Sequence, residues 1–171
     1  MFGGAYILSL IALWLKSVSA STLPILPFAP FLTVVLLKRS LASSFILAAI
    51  AGFHVDLLSS DPFGIHALGF FFAILFCHRL RRLFSYDILS QFAIFSSIIS
   101  VTMTINHLFL LFLFDRRVPF DRLWWLTDWI FFPVLDGLFA IVWFYGPLLA
   151  GQKLYRYWMF YWLKKKSLSQ N

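Results

Sequence analysis

The apolar run Leu41–Leu58 contains one carboxyl group near its end, and small residues recur along it at helical spacing. Ser44, Ala48, Gly52 and Asp56 follow one another at intervals of four, so they share one face of a helix. Small side chains let a second helix approach closely, and Asp56 lies at the end of that face. The pattern predicts close helix packing that ends at an acid.

A polar turn follows this run, and residues 61–64 within it can each take a different structural role. Pro62 fixes its own φ, Gly64 is free of steric restriction, and Phe63 stands between them. Asp61 is suited to cap the next helix, and the alternative is contact with a partner. We expect residues 40–68 to form a helical hairpin around which the other helices pack.

Histidines flank Asp56, which raises the question of a metal site. His54, Asp56 and His66 would supply the ligands. Residues two apart on a helix point to different faces, and no tight ligand spacing is present. We therefore predict no metal ligands and no cofactor.

Asp136 is the deepest acid within an apolar segment. Ionisable groups inside apolar spans are energetically costly, so Asp136 should be hydrogen-bonded within the bundle. The preceding helix offers a polar face, and we predict His107 or Asn106 as its partner. The interpretation is structural, a buried polar contact that fixes helix packing, and the alternative is a direct role in transport or catalysis. That polar face contains Ser96, Ser100, Thr104 and His107.

The sequence contains no recognisable catalytic set. Glycine-rich phosphate loops, nucleophile elbows and paired cysteines are absent, and all seven acids are aspartates. Asp56 and Asp136 are expected at different depths, which disfavours an aspartyl hydrolase. We predict a protein that is not an enzyme.

Composition indicates the elements that must position these residues. The chain has 171 residues, of which 61% are hydrophobic and only 12% charged, with 22 phenylalanines. A soluble domain of this size could not cover so much apolar surface. We predict an all-α polytopic membrane bundle of about six transmembrane helices. The run ending at Leu37 is short for a full span, so it is tilted, extended backwards past Pro27 or partly re-entrant. The predicted segments are 3–14, a short run to 37, 41–58, 63–78, 88–114 and 124–149.

Basic residues predict the orientation of the bundle. With six spans, ten lysines and arginines fall on one side and four on the other. The basic clusters argue for cytoplasmic loops and against nucleic-acid binding, and the positive-inside rule makes both termini cytoplasmic. Residues 1–151 would form a single bundle, and 152–171 a basic, aromatic tail on the membrane surface.

The third and fourth segments resemble a known family. Gly52, the run Asp56-Leu57-Leu58-Ser59 and the run 63–68 (FGIHAL) are similar to the best-marked region of MreD, the bacterial rod shape-determining membrane protein. The family is also similar in its six-helix fold to substrate-binding subunits of energy-coupling-factor transporters.

The resemblance implies a non-enzymatic scaffold in the inner membrane, with several passes. Its direct partner would be MreC, and the wider complex would include MreB, RodZ, RodA and a class B penicillin-binding protein. Carried onto this chain, the candidate contact residues are Gly52, Asp56, Asp61, Phe63 and Gly64. The competing hypothesis is a small-molecule transporter subunit with a pocket lined by His107, Asp56 and the Trp124–Trp125 pair.

Overall fold

The computed structural model describes residues 2–18, 25–113 and 127–168, and within these ranges it is helical without strands. The all-α prediction is therefore confirmed for the part of the chain described. The helices are α1 (Phe2–Val18), α2 (Ala29–Lys38), α3 (Leu41–Asp56), α4 (Ile65–Leu80), α5 (Leu89–Leu113), α6 (Phe132–Phe139) and α7 (Gly146–Leu168). The Trp124–Trp125 pair and the charged loop 115–122 lie outside the described residues.

The short helix α2 lies at the centre of the bundle. Every residue from Ala29 to Leu36 is buried, and α1, α3, α4, α5 and α6 all contact α2. Pro30 occupies the first turn of α2, where its missing N–H is not needed. The ten residues of α2 span about 15 Å, half the thickness of a bilayer core. The prediction that residues 40–68 organise the other helices was therefore wrong: α2 holds that position.

Helices α3 and α4 form the most extensive pair in the bundle, as the small-residue pattern predicts. Ser44, Ala48, Gly52 and Asp56 are all buried, so the predicted face of α3 is confirmed. Helix α3 ends at Asp56 and α4 begins at Ile65, which makes the connecting turn longer than expected.

The C-terminal helical stretch contains two π-helical segments, Thr127–Phe131 and Ala140–Tyr145. Each segment comes just before a helix with a proline near its start, Pro133 in α6 and Pro147 in α7. Proline cannot donate a backbone hydrogen bond and crowds the preceding turn, which explains the widened turns. Helix α7 continues unbroken past Gly151, so the predicted boundary at residue 151 lies within a helix.

Within the described part of the chain, two helical stretches are long and apolar enough to cross a membrane, Leu89–Leu113 and Trp129–Tyr161. The first has 25 residues, or about 37 Å of helix, and the second has 33. Phe2–Val18, Ala29–Lys38 and Leu41–Asp56 are apolar but shorter. Length and composition thus support membrane association for part of the bundle.

Cationic side chains from two connections, together with the start of α1, meet at one end of the bundle, which we call the basic end. Arg81 donates a hydrogen bond to the Arg39 carbonyl at 2.9 Å, and the Arg39 guanidinium lies 4.2 Å from the centre of the Phe2 ring. The Lys38 ammonium lies 3.7 Å from the centre of the Tyr86 ring. The start of α1 and the α2–α3 and α4–α5 connections therefore share one end, as the charge pattern predicts.

Tyr86 at the basic end should lose its proton at a higher pH than an ordinary tyrosine. Burial, with a contribution from the neighbouring Tyr145, raises the pKa of Tyr86 from 10.0 to about 12. Because the folded state favours the neutral phenol, Tyr86 contributes about 2–3 kcal/mol to folding stability below pH 10. This contribution is lost as the pH rises through about 12. We expect a Tyr86→Phe variant to lose the most alkaline component in an absorbance titration of tyrosinate. The exposed-site variant Tyr157→Phe should retain that component, and its loss there would contradict the assignment.

Candidate functional site at the α3–α4 turn

Gly52 allows α3 to approach the start of α4 at backbone distance. A Cβ atom built on Gly52 would lie 2.6 Å from the Ala67 nitrogen and 2.9 Å from the His66 carbonyl carbon, and it would also collide with the Ala67 Cα. These neighbours are backbone atoms, which cannot rotate away as a flexible side chain can. Only glycine fits this position without moving one of the helices.

Asp56 caps α4 from the neighbouring helix. Its Oδ1 accepts hydrogen bonds from the His66 backbone N–H at 2.9 Å and from His66 Nδ1 at 2.9 Å, and its Oδ2 accepts one from the Ala67 N–H at 3.2 Å. The amide groups in the first turn of a helix lack intrahelical partners, and a carboxylate there also interacts favourably with the helix dipole. Asp56 is only 4% exposed, so this cap is an internal part of the fold.

Asp61 does not cap α4, contrary to the prediction. The position before the first residue of α4 is Gly64, which has φ +96° and makes no side-chain cap. Asp61 instead closes a small ring within the turn: Ser59 Oγ donates to Asp61 Oδ2 at 3.1 Å, and the Asp61 N–H donates to Ser59 Oγ at 3.1 Å. The left-handed conformation of Gly64 confirms the expected use of its conformational freedom.

Three side chains converge beyond this ring, and we call Asp61, His66 and His107 the His–Asp cluster. His107 Nε2 lies 3.4 Å from Asp61 Oδ2, and His66 Nε2 lies 3.9 Å from the same oxygen. The two imidazole rings are 4.6 Å apart between centroids. His107 comes from α5, so the cluster joins the α3–α4 turn to a third helix.

The turn also exposes apolar side chains at the end of the bundle opposite the basic end. Phe63 is 68% exposed and stacks on Phe53 with ring centroids 5.6 Å apart, and Leu57 and Leu58 are exposed beside them. Among the five predicted contact residues, Gly52 and Asp56 are buried and make their contacts within the chain. Phe63, Gly64 and the partly exposed Asp61 lie on the turn itself.

A cavity of about 330 Å³ lies between α1, the segment before α2 and the α3–α4 hairpin. Its polar lining comes from Lys16, Ser17, Ser59 and His66, and the remainder is apolar. His107 and Asp56, predicted to line a pocket, are not among the lining residues, whereas the edge of the cavity does reach the turn through Leu58.

Asp136 forms a second buried polar site near the middle of the bundle. Its side chain is completely buried, and its Oδ1 accepts a hydrogen bond from the Leu26 N–H at 2.9 Å. Its Oδ2 accepts a hydrogen bond from the Ser100 hydroxyl. The carboxyl group therefore joins α6 to α5 and to the segment that enters α2.

The predicted burial and hydrogen bonding of Asp136 are confirmed, but both predicted partners were wrong. Asn106 donates instead to the Gly69 carbonyl of α4 at 3.4 Å, and His107 belongs to the His–Asp cluster. Ser100 does lie on the polar α5 face that the spacing identified. The Leu26 amide could not be found from side-chain spacing, because it is a backbone donor in an irregular segment.

No family model matches this sequence, and neither a curated protein nor a solved structure matches it.

Proposed function

We propose that this chain is a multi-pass protein of the bacterial inner membrane and a non-enzymatic scaffold of the rod complex, as its resemblance to MreD implies. The observation that supports this best is the apolar tip of the α3–α4 turn. Phe63, Leu57 and Leu58 are exposed on a turn that is flanked by the Asp56 cap and the Gly52 contact with α4. A cluster of exposed apolar side chains marks a site of protein contact.

The proposed orientation follows from the charges. The basic end would face the cytoplasm, so the turn would face the periplasm. There it would meet MreC, whereas MreB, RodZ, RodA and a class B penicillin-binding protein would belong to the wider assembly. Exposed apolar residues along the outer faces of the helices would contact lipid.

Site-specific photo-crosslinking in native membranes tests this proposal. A photoreactive phenylalanine analogue at position 63 is expected to capture an MreC-type protein, because Phe63 is 68% exposed at the tip. The matched control is Leu83, a side chain 72% exposed at the basic end, which should not capture that protein. Identical products from both positions would contradict a partner site at the turn.

A second candidate function is a membrane subunit of a vitamin-type transporter. The cavity of about 330 Å³ supports this alternative, since it falls at the lower end of the range for small-molecule sites and contains Lys16 and His66. Gentle solubilisation after crosslinking distinguishes the two functions. Recovery of paired ATPase subunits would favour the transporter, and recovery of an MreC-type protein would favour the scaffold.

A further inference from the structure

The geometry of the His–Asp cluster points to a binding site for a divalent transition-metal ion, with zinc as the best fit, formed by Asp61, His66 and His107. One ligand atom from each of these three residues lies within 4.8 Å of the others. This inference does not rest on the proposed scaffold function.

The hydrogen bond between His66 and Asp56 fixes the tautomer and the ring orientation of His66 in the cluster. Both Asp56 oxygens accept backbone N–H groups, those of His66 and Ala67, so we assign the side chain as an acceptor and the proton to His66 Nδ1, which then donates to Oδ1 at 2.9 Å. The neutral imidazole then has its lone pair on Nε2, the atom that faces Asp61. A buried carboxylate that orients a histidine in this way is the usual support behind a metal-binding imidazole.

The distances in the cluster are close to those of a metal-bound set. Ligand atoms bound to tetrahedral zinc lie about 3.3 Å apart, given bonds of about 2.0 Å. His107 Nε2 and Asp61 Oδ2 are already 3.4 Å apart, and His66 Nε2 is 3.9 Å from that oxygen. The ligand atoms of the two imidazoles lie within 4.8 Å of each other, so the histidine rings would move closer together on binding one ion.

The ligand types select the class of ion. Two imidazoles and one carboxylate suit zinc, cobalt, nickel or iron better than magnesium or calcium, which prefer oxygen ligands. The two aspartates, Asp56 and Asp61, supply negative charge against the ion. The buried Nδ1 of His107 has no hydrogen-bond partner among the described residues, so no such bond would have to break for the ring to turn.

The consequence of binding would be a cross-link at this end of the bundle. Asp61 belongs to the α3–α4 turn, His66 to α4 and His107 to α5. An ion held by all three would tie the turn to α5 beside the apolar tip. Three protein ligands leave a fourth position for water or another donor.

The test uses the full chain purified without a histidine tag, in detergent or nanodiscs, and stripped with a chelator. Titration with Co²⁺ should give the intense visible absorption of a four-coordinate site at one ion per chain, and Zn²⁺ should displace it. Zn²⁺ should also raise the unfolding temperature, since it would bind the folded state. The His107→Ala and Asp61→Ala variants should each bind at least about tenfold more weakly and lose the temperature shift.

Two further variants make the result specific. His54→Ala is the matched control, because His54 interacts with Tyr6 and the Ile50 carbonyl and lies outside the cluster; it should bind like the unmodified protein. His107→Cys should still bind Co²⁺ and gain a thiolate-to-cobalt charge-transfer band. Absence of stoichiometric binding, or equal binding by His107→Ala and the unmodified chain, would overturn the site. Either result would leave the crosslinking at position 63 unaffected.

Discussion

A Gly52→Ala variant is expected to lose about 3 kcal/mol or more of folding stability, because its methyl group would meet the backbone of α4. The new Cβ would lie 2.6 Å from the Ala67 nitrogen and 2.9 Å from the His66 carbonyl carbon. Relief requires α3 and α4 to separate. Separation in turn lengthens the hydrogen bonds from the first turn of α4 to Asp56, so two stabilising features fail together.

The measurement is thermal unfolding in detergent, in which we expect a decrease on the order of 10 °C. Gly69→Ala is the matched control. Gly69 lies within α4, and the described atom nearest to an added Cβ would be the backbone nitrogen of His107, at 4.0 Å. Alanine favours the helix by about 1 kcal/mol over glycine, so this variant should be unchanged or slightly stabilised. Equal unfolding temperatures for the two variants would show that α3 and α4 do not approach as closely as described.

The α3–α4 interface was predictable because its signal is local. Ser44, Ala48, Gly52 and Asp56 are related by helical spacing alone, and one short polar turn returns the chain beside them. The same reasoning identified the polar face of α5 that includes Ser100. Periodicity thus specifies which face of a helix is buried, and a short connection specifies its neighbour.

The capping of α4 shows where local reasoning fails. Asp61 is closer in sequence to α4 than Asp56, so it was the natural choice for the cap. The turn through Pro62 and Gly64 directs Asp61 away from the helix start, whereas the antiparallel return of the hairpin brings Asp56 onto it. Which acid reaches the amides is therefore a property of the turn conformation and not of sequence distance.

The central position of α2 and the His–Asp cluster depend on contacts between segments far apart in sequence. A ten-residue apolar run has the same composition whether it lies at the periphery or at the centre. Likewise, His107 approaches Asp61 only because α5 packs against α4 in a particular register. The metal hypothesis considered from sequence combined His54, Asp56 and His66, but His54 turns away to Tyr6.

Asp136→Ala is expected to cost about 2–5 kcal/mol of folding stability, because it leaves one buried and one partly buried donor without acceptors. The donors are the Leu26 N–H and the Ser100 hydroxyl, and the site is completely buried. The effect should extend beyond α6, since the Leu26 contact positions the chain just before α2. We therefore expect a lower unfolding temperature together with faster hydrogen exchange at the amides of Ile25, Leu26 and Phe28, measured by mass spectrometry.

A graded series separates lost hydrogen bonds from lost volume. Asp136→Asn retains a carbonyl acceptor for the Leu26 N–H, and its amide can donate to Ser100 Oγ once that hydroxyl rotates, so it should lose less stability than Asp136→Ala. Asp87→Ala, at an exposed site, is the control and should change stability by no more than about 0.5 kcal/mol. Equal losses for the Asn and Ala variants would contradict hydrogen bonding as the cause.

The coupling between Asp136 and Ser100 gives the strictest form of this prediction. Ser100→Ala alone removes one donor and should cost about 1 kcal/mol. In the double variant Asp136→Ala/Ser100→Ala the hydroxyl that would be left without an acceptor is also gone, so the total loss should be smaller than the sum of the single losses. Additive losses would mean that the two side chains do not interact. In that case the carboxyl group would hold the chain before α2 through the Leu26 amide, with α5 contributing packing alone.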